Sequence, residues 1–426
     1  MLLKDMSKEQ LVEFKAQVQK EYEDFKSKGL KLDMSRGKPS SLQLDMSMEI
    51  LDVINSTSDM NTETGIDCRN YNLVDGIPEA KRLFAEVLGV STEEIFIGGN
   101  SSLNLEYDII VKNMILGASE TSEPWGKLEK IKWLCPCPGY DRHFGICESL
   151  GIEMINIPML DDGPDMDMIE KLVSEDELIK GVWCVPMYSN PTGITFSDKV
   201  VKRFAALKPK AKDFRIFWDN AYCVHHLTDT PDTLLSILEE CKNCGNDDMV
   251  YIFGSTSKIT FAGGGVSFVA TSKNNINYLR NLINVQTIGY DKVNQLRHAR
   301  YFKNYDGIKE KMDKHAEEIL PKFQVVLDSL EKNIKPLGIG SWHKPNGGYF
   351  ISFDAMDGCA KRIAELCKEG GVVLTGAGAT FPYGIDPRNS NLRIAPTYPP
   401  VSELKLAVEL FCISTKLASV EKLLEI

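Results

Sequence analysis

The spacing of hydrophobic residues changes along the chain and predicts two kinds of element. Near the N-terminus, residues 5–28 place Val18, Tyr22 and Phe25 three or four positions apart, which is the period of an amphipathic helix. The segment MSRGKPS at 34–40 interrupts that period with a glycine and a proline, and therefore predicts a loop.

Beyond this loop, short runs of hydrophobic residues alternate with stretches long enough for helices. Each run is typical of a strand that is buried on both faces. The runs lie at 94–98, 131–136, 151–158, 181–186, 214–219, 249–254 and 265–271. Strands that alternate with helices favour an α/β fold, in which a mostly parallel sheet is sandwiched between helices.

From about residue 311 the pattern changes and predicts a smaller α+β domain, which the N-terminal helix joins. After a long helical stretch, the spacing predicts a strand pair at 346–354, a helix at 359–369, a strand at 371–378 and a closing helix at 401–420. The predicted domain bounds are 1–45 for the N-terminal helix and loop, 46–310 for the large domain and 311–426 for the rest of the small domain.

Composition and charge narrow the class of protein. The chain has 426 residues, of which 43% are hydrophobic and 26% charged, so global disorder is excluded. A net charge of −11 without a basic stripe argues against nucleic acid as a partner. No apolar run is long enough to cross a membrane, and the N-terminus lacks the apolar core of a signal peptide. We therefore expect a cytoplasmic protein with no membrane partner.

The chain contains eleven cysteines, an odd number that favours reduced thiols over a disulfide framework. Cys135 with Cys137, and Cys241 with Cys244, form two close pairs. A structural zinc site usually needs two pairs at metal-binding spacing, or added histidines. We interpret the second pair as surface thiols on a connection and predict no metal site.

Polar residues follow several of the predicted strands directly. In open α/β sheets ligands bind beyond the carboxyl ends of the strands, so these residues are expected to converge. The groups lie at 98–103, 189–193, 219–222 and 255–258, and Arg393 lies in the predicted small domain.

The chemistry of these groups favours an anionic ligand beside a reactive amine. Small residues at 98–102 let backbone N–H groups approach an anion at a helix start, without the glycine signature of a dinucleotide site. Lys258, partly desolvated at a strand end, can act as a nucleophile, and Arg393 can clamp a carboxylate. Each residue also has an ordinary interpretation: a helix cap for Asp219, a solvent-facing lysine for Lys258 and a structural ion pair for Arg393.

Taken in order, these motifs resemble those of the fold-type I pyridoxal-phosphate enzymes, specifically the class I aminotransferases. The ordered set is Tyr71, Gly76, the loop at 98–102, Pro138-Gly139-Tyr140, Asn190-Pro191-Thr192-Gly193, Asp219 with Ala221 and Tyr222, Ser255 with Ser257 and Lys258, and Arg393. The segments SRGKPS, YNLVDGIPEA, STSKITFAGGG and RIAPTYPP are similar to the MocR-like branch of aspartate aminotransferases. The resemblance implies the fold-type I architecture: a large domain with a mixed, mostly parallel sheet and a small α+β domain.

The resemblance also implies pyridoxal 5'-phosphate as cofactor and gives roles on its ring side. Lys258 would hold the cofactor covalently and move the proton, while Asp219 would pair with the pyridine nitrogen. Tyr222 and Asn190 would bind the phenolic oxygen, and Tyr140 would stack on the ring. His143, three residues after Tyr140, would support Asp219, unless it is an ordinary core histidine.

On the phosphate side, the resemblance implies a homodimer with shared sites, because Tyr71 would reach the phosphate of the neighbouring subunit. The same chain would supply Asn100, Ser101, Ser102, Ser255 and Ser257. One feature departs from the family pattern. Many class I members carry an arginine shortly after the lysine, whereas this chain has Gly263-Gly264-Gly265-Val266, so the phosphate charge must be balanced differently.

On the substrate side, Arg393 would bind the α-carboxylate opposite Gly37 and beside Asn190. A dicarboxylate needs a second cation, and the resemblance favours Lys292 from the partner subunit. The ordinary interpretation of Lys292 is a solvated charge at a helix end. The alternative cations are Arg297, Arg36 and Lys38.

The resemblance thus predicts an aminotransferase for amino acid and 2-oxo acid substrates. The leading hypothesis is transfer from L-aspartate to 2-oxoglutarate by a ping-pong mechanism, giving oxaloacetate and L-glutamate. Alanine, aromatic or 2-aminoadipate donors remain open, as does a pyridoxal-phosphate lyase on the same scaffold. A catalytically silent regulatory module is the alternative of another class. The set Lys258, Asp219, Tyr222 and Arg393 argues against it, because a silent module has no need for all four.

Overall fold

The computed structural model describes residues 2–425, and each predicted hydrophobic run forms a strand. The strands are β1 (Leu32–Asp33), β2 (Ile95–Ile97), β3 (Lys132–Cys137), β4 (Glu153–Leu160), β5 (Gly163–Pro164), β6 (Ile179–Cys184), β7 (Arg215–Asp219), β8 (Val250–Ser255), β9 (Ser267–Ala270), β10 (Gly340–Trp342), β11 (Ile351–Ala355), β12 (Val372–Val373) and β13 (Asn391–Ile394). The helices are α1 (Lys8–Lys26), α2 (Ser41–Asp45), α3 (Pro78–Leu88), α4 (Ser102–Leu116), α5 (Asp141–Ser149), α6 (Met166–Glu175), α7 (Asp198–Ala205), α8 (Ile237–Cys244), α9 (Lys273–Gln286), α10 (Lys292–Phe302), α11 (Tyr305–Asn333), α12 (Ala360–Glu369) and α13 (Val401–Leu424).

A large sheet has the strand order β2-β9-β8-β7-β6-β3-β4-β5. The strands from β8 through β4 run parallel to one another, whereas β9 is antiparallel to both of its neighbours and β5 is antiparallel to β4. Parallel neighbours need long crossover connections, which the intervening helices supply. The prediction of a mostly parallel, mixed sheet between helices is confirmed.

The two faces of this sheet enter two separate hydrophobic clusters. Leu134 and Val182 face a cluster that also contains residues of α3, α6, α7, α8 and α10. Trp133 and Trp183 face the other cluster, beneath α4, α5 and α9. Successive side chains of a strand point to opposite faces, and both faces are covered here. The central strands are therefore buried throughout, which explains their uninterrupted hydrophobic runs.

A third hydrophobic cluster joins the two ends of the chain. It contains Tyr22 and Phe25 of α1 together with residues of α11, α12, α13 and the antiparallel sheet β10-β11-β13. Helix α1 begins with a capping box between Ser7 and Gln10. The Tyr22 hydroxyl donates a hydrogen bond of 2.9 Å to the Leu366 carbonyl oxygen on α12. The N-terminal helix therefore packs against C-terminal elements.

Helix α11 runs without interruption across the predicted domain boundary at residue 311. Its first turns carry Ile308 and Met312 into the core beneath the large sheet. Farther along, Ile319 and Phe323 pack in the cluster that contains α1 and α13. One continuous helix thus connects the two cores, and the exact domain bounds stay a prediction.

Two predictions in the C-terminal part differ from the structure. The predicted strand at 371–378 is limited to β12, which pairs in parallel with β1. The chain then turns at Gly378, whose φ of +91° favours glycine. The predicted strand pair at 346–354 contains a single strand, β11. Its first residues instead lie against Tyr188, where a Cβ at Gly347 would come within 2.3 Å of the ring.

The structure also bears on the cysteine and membrane expectations. All eleven cysteines lie in the described range as free thiols. The interpretation of Cys241 as a surface thiol is wrong, because it packs into the core from α8, while Cys244 is exposed at the end of the same helix. Within residues 2–425, every helix is too short or too polar to cross a membrane.

Candidate active site

The carboxyl ends of β6, β7 and β8 lie side by side at one edge of the large sheet. Asn190 follows β6, Asp219 ends β7 and Lys258 follows β8. Because these strands are parallel neighbours, their polar continuations open onto the same edge. The elements therefore supply the convergence that the sequence predicts.

The Lys258 amine lies over an aromatic ring at this edge. Its Nζ atom is 4.5 Å from the centre of the Tyr222 ring. Tyr222 is buried, and this burial raises the pKa of its hydroxyl. The Tyr349 hydroxyl donates a long hydrogen bond of 3.4 Å to the Lys258 carbonyl oxygen, which ties the lysine backbone to the smaller core. Lys258 as a whole is half-buried.

Asp219, His143 and Glu106 form a buried cluster beside the lysine. His143 Nε2 lies 3.3 Å from Asp219 Oδ2 and 3.3 Å from Glu106 Oε2. The His143 ring stacks on Trp183 with their centroids 4.2 Å apart, and its edge faces Tyr140. The structure therefore places His143 directly behind Asp219, as the resemblance implied.

Charge interactions within this cluster shift two pKa values. Burial by itself would lower the pKa of His143, but the Glu106 and Asp219 carboxylates outweigh it and raise that pKa to about 9. Burial and the neighbouring Asp219 carboxylate raise the pKa of Glu106 to about 7, against the attraction of His143. The cluster therefore holds a proton between its two carboxylates at neutral pH.

Hydroxyl and backbone groups gather where β8 ends and α4 begins. The Ser255 hydroxyl donates to Ser257 Oγ at 3.2 Å, and the Ser257 hydroxyl donates to the Asn100 carbonyl oxygen at 3.1 Å. A Cβ at Gly265 would lie 2.9 Å from that same carbonyl, so the two loops can approach only because this residue is glycine. The helix α4 starts immediately after Asn100 and Ser101. The structure thus gathers the predicted phosphate residues Asn100, Ser101, Ser102, Ser255 and Ser257.

Arg393 on β13 reaches the Asn190 side chain from the smaller core. Its Nη1 atom donates to Asn190 Oδ1 at 3.2 Å and to Asp141 Oδ1 at 3.0 Å. Its Nη2 atom donates to Thr375 Oγ1 at 3.5 Å. The guanidinium carbon lies 4.8 Å from the centre of the Phe350 ring. These contacts fix the guanidinium plane in a nearly dry position, since Arg393 is 7% exposed.

The N-terminal loop reaches the same aromatic ring. A Cβ at Gly37 would lie 2.3 Å from the Phe350 ring, so glycine alone allows the loop to lie there. The Thr375 hydroxyl, which contacts Arg393, also donates to the Ser35 carbonyl oxygen at 2.5 Å. Gly37 and Arg393 therefore share Phe350 as a common neighbour, as expected for two sides of one carboxylate site.

Lys292 lies close to the loop that carries Tyr71. Tyr71 is 75% exposed. A Cβ at Gly289 would lie 2.8 Å from the Asn72 carbonyl oxygen and 3.1 Å from Lys292 Nζ, so the lysine amine borders the loop of Tyr71. Lys292 is 6% exposed, and its interpretation as a solvated helix-end charge is therefore wrong.

The alternative cations have other surroundings. Arg297 Nη2 would lie 4.0 Å from a Cβ at Gly264, which places this guanidinium beside the glycine run after Lys258. Lys38 Nζ lies 3.9 Å from the centre of the Tyr398 ring. Arg36 is exposed on the N-terminal loop.

Sequence reasoning missed two residues of this site, Glu106 and Asp141. The signal for Glu106 was present: together with Ile109, Ile110 and Asn113 it repeats at three, four and seven residues on the buried face of α4. A carboxylate on such a face needs a partner. Asp141 follows the predicted ring-stacking Tyr140, but its contact with a residue 252 positions away has no local signal.

Comparisons with known proteins agree with this arrangement. Residues 6–426 match the family model described as aspartate amino-transferase. The chain is 45% identical over 419 residues to an aspartate aminotransferase of Corynebacterium glutamicum, covering 98% of this chain and 96% of that one. A solved aspartate transaminase structure from Corynebacterium glutamicum superimposes with a TM-score of 0.97 at 45% identity, covering 99% of both chains. An α-aminoadipate aminotransferase from Thermus thermophilus, complexed with N-(5'-phosphopyridoxyl)-L-leucine, shares the fold at 19% identity, with a TM-score of 0.74 and coverage of 92% and 93%.

Proposed function

Because the chain belongs to the aspartate aminotransferase family, we propose that it transfers the amino group between L-aspartate and 2-oxoglutarate, giving oxaloacetate and L-glutamate by a ping-pong mechanism. One observation gives this proposal its strongest support. A lysine amine over Tyr222, a buried carboxylate on β7 and a fixed guanidinium on β13 all meet the edge where β6, β7 and β8 end.

The residues at this edge fit pyridoxal 5'-phosphate. Asp219 Oδ1 is buried and, within the described residues, makes no hydrogen bond, so it is free to accept one from a pyridinium nitrogen. The serine hydroxyls and the start of α4 offer donors for a phosphate. When bound, the cofactor supplies a carbonyl for the amine and a ring that accepts the electron pair left at the substrate Cα.

The remaining ring contacts follow from the same geometry. Asn190 uses its Oδ1 atom for Arg393, which leaves its amide N–H groups to donate to the phenolic oxygen. Tyr222 lies beneath Lys258 Nζ and is a second donor to that oxygen. Tyr140 is the N-cap of α5, the helix that carries His143, and we assign it to stack on the cofactor ring.

Proton transfer is assigned to Lys258. Its Nζ atom, half-buried at the end of β8, takes the proton from the substrate Cα as a general base and returns it as a general acid. The Tyr349 hydroxyl holds the backbone of Lys258, from which the amine moves between the two positions. The same residue therefore serves binding and proton movement.

Arg393 is assigned to the α-carboxylate of the substrate. Its planar fork matches a carboxylate in two parallel bonds. We assign the distal carboxylate to Lys292 of a second copy, because Lys292 borders the exposed loop of Tyr71. This arrangement makes the protein a homodimer in which Tyr71 binds the phosphate of the partner site. Membership in the MocR-like branch and a cytoplasmic location stay predictions.

Reaction of the holoenzyme with single amino acids tests which amino donor it accepts. Holoenzyme is mixed with one amino acid at a time, and conversion of the cofactor to its amine form is followed by its visible absorption. We expect rapid conversion by L-aspartate and L-glutamate. If alanine, aromatic amino acids or 2-aminoadipate convert the cofactor while aspartate and glutamate do not, the amino donor is a different one. Lys258→Ala is expected to abolish conversion, whereas the exposed Lys344→Ala is the matched control and should behave as wild type.

A further inference from the structure

Glu106 is a buried carboxylate that the proposed reaction does not use. It is fully buried on α4, one turn after the helix start that borders the phosphate residues. Within residues 2–425, neither of its carboxylate oxygens makes a well-aligned hydrogen bond. A lone buried carboxylate costs several kcal/mol unless a cation accompanies it, so its position needs a physical reason.

The cation that faces Glu106 is His143. Its Nε2 atom stands at 3.3 Å from Glu106 Oε2 and at the same distance from Asp219 Oδ2, so one ring nitrogen serves two carboxylates. The stack on Trp183 fixes the plane of the imidazole ring. The other titratable groups near the cluster are Lys258, Tyr140, Asp141, Tyr222 and Cys223.

A neutral imidazole would leave two carboxylates facing each other in a dry environment. A charged imidazole offsets both, and Glu106, once ionised above its pKa of about 7, supplies the second negative charge that balances the imidazole when Asp219 is paired with a pyridinium. The pairs Asp219 with the pyridinium and Glu106 with His143 then sum to zero charge. Without Glu106, a charged His143 would leave one unbalanced positive charge beneath the ring.

We propose that Glu106 is a positioning residue that acts through His143: it keeps the imidazole charged, and the charged imidazole holds the Asp219 carboxylate aimed at the pyridine nitrogen. The proposal rests on the proposed function for the identity of the ring. Its first link, between Glu106 and His143, stands on this chain alone.

The link has a pH signature. The pKa of His143 is raised from 6.5 to about 9 in the folded chain, so its contribution to stability is complete below pH 6.5 and is lost as the pH rises through about 9. The pKa of Glu106, raised from 4.5 to about 7, adds a loss of the same sign at lower pH. The stability of wild type relative to Glu106→Gln is therefore expected to fall as the pH rises from 6.5 to 9, and above about pH 8, where Glu106 is already ionised, the fall reports on His143.

The test compares melting temperatures of the full-length, cofactor-free chain across this pH range. Glu106→Gln removes the charge at nearly constant volume. The matched control is Glu94→Gln. Glu94 is a buried glutamate that immediately precedes β2, and its partner Lys242 helps to lower its pKa. We expect the Tm difference between wild type and Glu106→Gln to fall with pH, and that for Glu94→Gln to stay constant. A constant difference for Glu106→Gln would overturn the proposal.

A second readout uses the holoenzyme. Cofactor affinity is measured as a function of pH, and the alkaline limb is the pH range in which the affinity falls as the pH rises. In Glu106→Gln, this limb is expected to move to lower pH by about one unit or more, because one pKa unit is the scale of a lost charge contact. A merely structural role would lower Tm without moving this limb, and that result would also contradict the proposal. If Glu106→Gln does not fold, the Tm difference between wild type and His143→Gln is expected to fall as the pH rises from 6.5 to 9, and a constant difference would contradict the link.

The two proposals fail separately. Wild-type protein that binds no pyridoxal 5'-phosphate would refute the proposed function, while the Tm series would still decide whether Glu106 keeps His143 charged. Normal cofactor binding with a pH-independent Tm difference would refute the role of Glu106 alone.

Discussion

Arg393 illustrates how a charged side chain is kept ready in a nearly dry cleft. Asn190, Asp141 and Thr375 contact its nitrogens, and Phe350 covers its face. The sequence predicts Arg393 as a carboxylate ligand because an arginine between apolar residues is unusual. It cannot predict Asp141 as a neighbour, because that contact depends on how the two cores are packed.

Arg393→Gln should raise the KM for L-aspartate at least tenfold or so, because a charge-assisted hydrogen bond contributes about 1.5–3 kcal/mol. Steady-state kinetics with both substrates measure this change. Arg388→Gln, an exposed arginine of the C-terminal part that pairs with Asp357, is the matched control and should leave KM nearly unchanged. An unaltered KM in Arg393→Gln would show that another cation binds the α-carboxylate.

At the scale of elements, long apolar runs are easier to predict than short or glycine-rich segments. The runs that became β3, β6, β7 and β8 are buried on both faces, so their composition alone indicates strands. By contrast, β1 and β12 are two residues long and pair only with each other. Their pairing depends on tertiary contacts between distant segments, which leave no periodic signal in either one.

Helix α1 provides a test of element packing. Phe25→Ala should lower the free energy of unfolding by about 3–5 kcal/mol, since the ring is buried between α1 and C-terminal elements. Val12→Ala on the exposed face of the same helix should change it by less than about 0.5 kcal/mol. Urea unfolding measures both. Equal effects would mean that α1 does not pack into this core in solution.

At the scale of the whole molecule, the net charge of −11 describes the surface and not the site. The candidate site instead places two cations, Lys258 and Arg393, where we propose that a phosphate and carboxylates bind. The sequence says least about how chains assemble. Tyr71 is predicted to act in a neighbouring subunit, and its 75% exposure in one chain agrees with that assignment.

Mixing two impaired variants tests the shared site. Lys258→Ala lacks the amine and Tyr71→Ala lacks the phosphate contact, so each homodimer is impaired at both sites. A mixed dimer has one site with both residues intact, and random mixing should restore about a quarter of wild-type activity, by the symmetry of a two-fold dimer. Each variant refolded alone is the control. Activity equal to the average of the two variants would mean that Tyr71 serves its own chain or none.

The central claim, that Lys258 holds pyridoxal 5'-phosphate at the edge where β6, β7 and β8 end, is tested most directly by chemical trapping. Holoenzyme is reduced with borohydride, digested and analysed by mass spectrometry, which locates the amine that carries the cofactor. We expect the added mass on the peptide that contains Lys258 and on no other lysine. Cofactor trapped on a different lysine, or no trapped cofactor in protein that shows its visible absorption, would contradict the account.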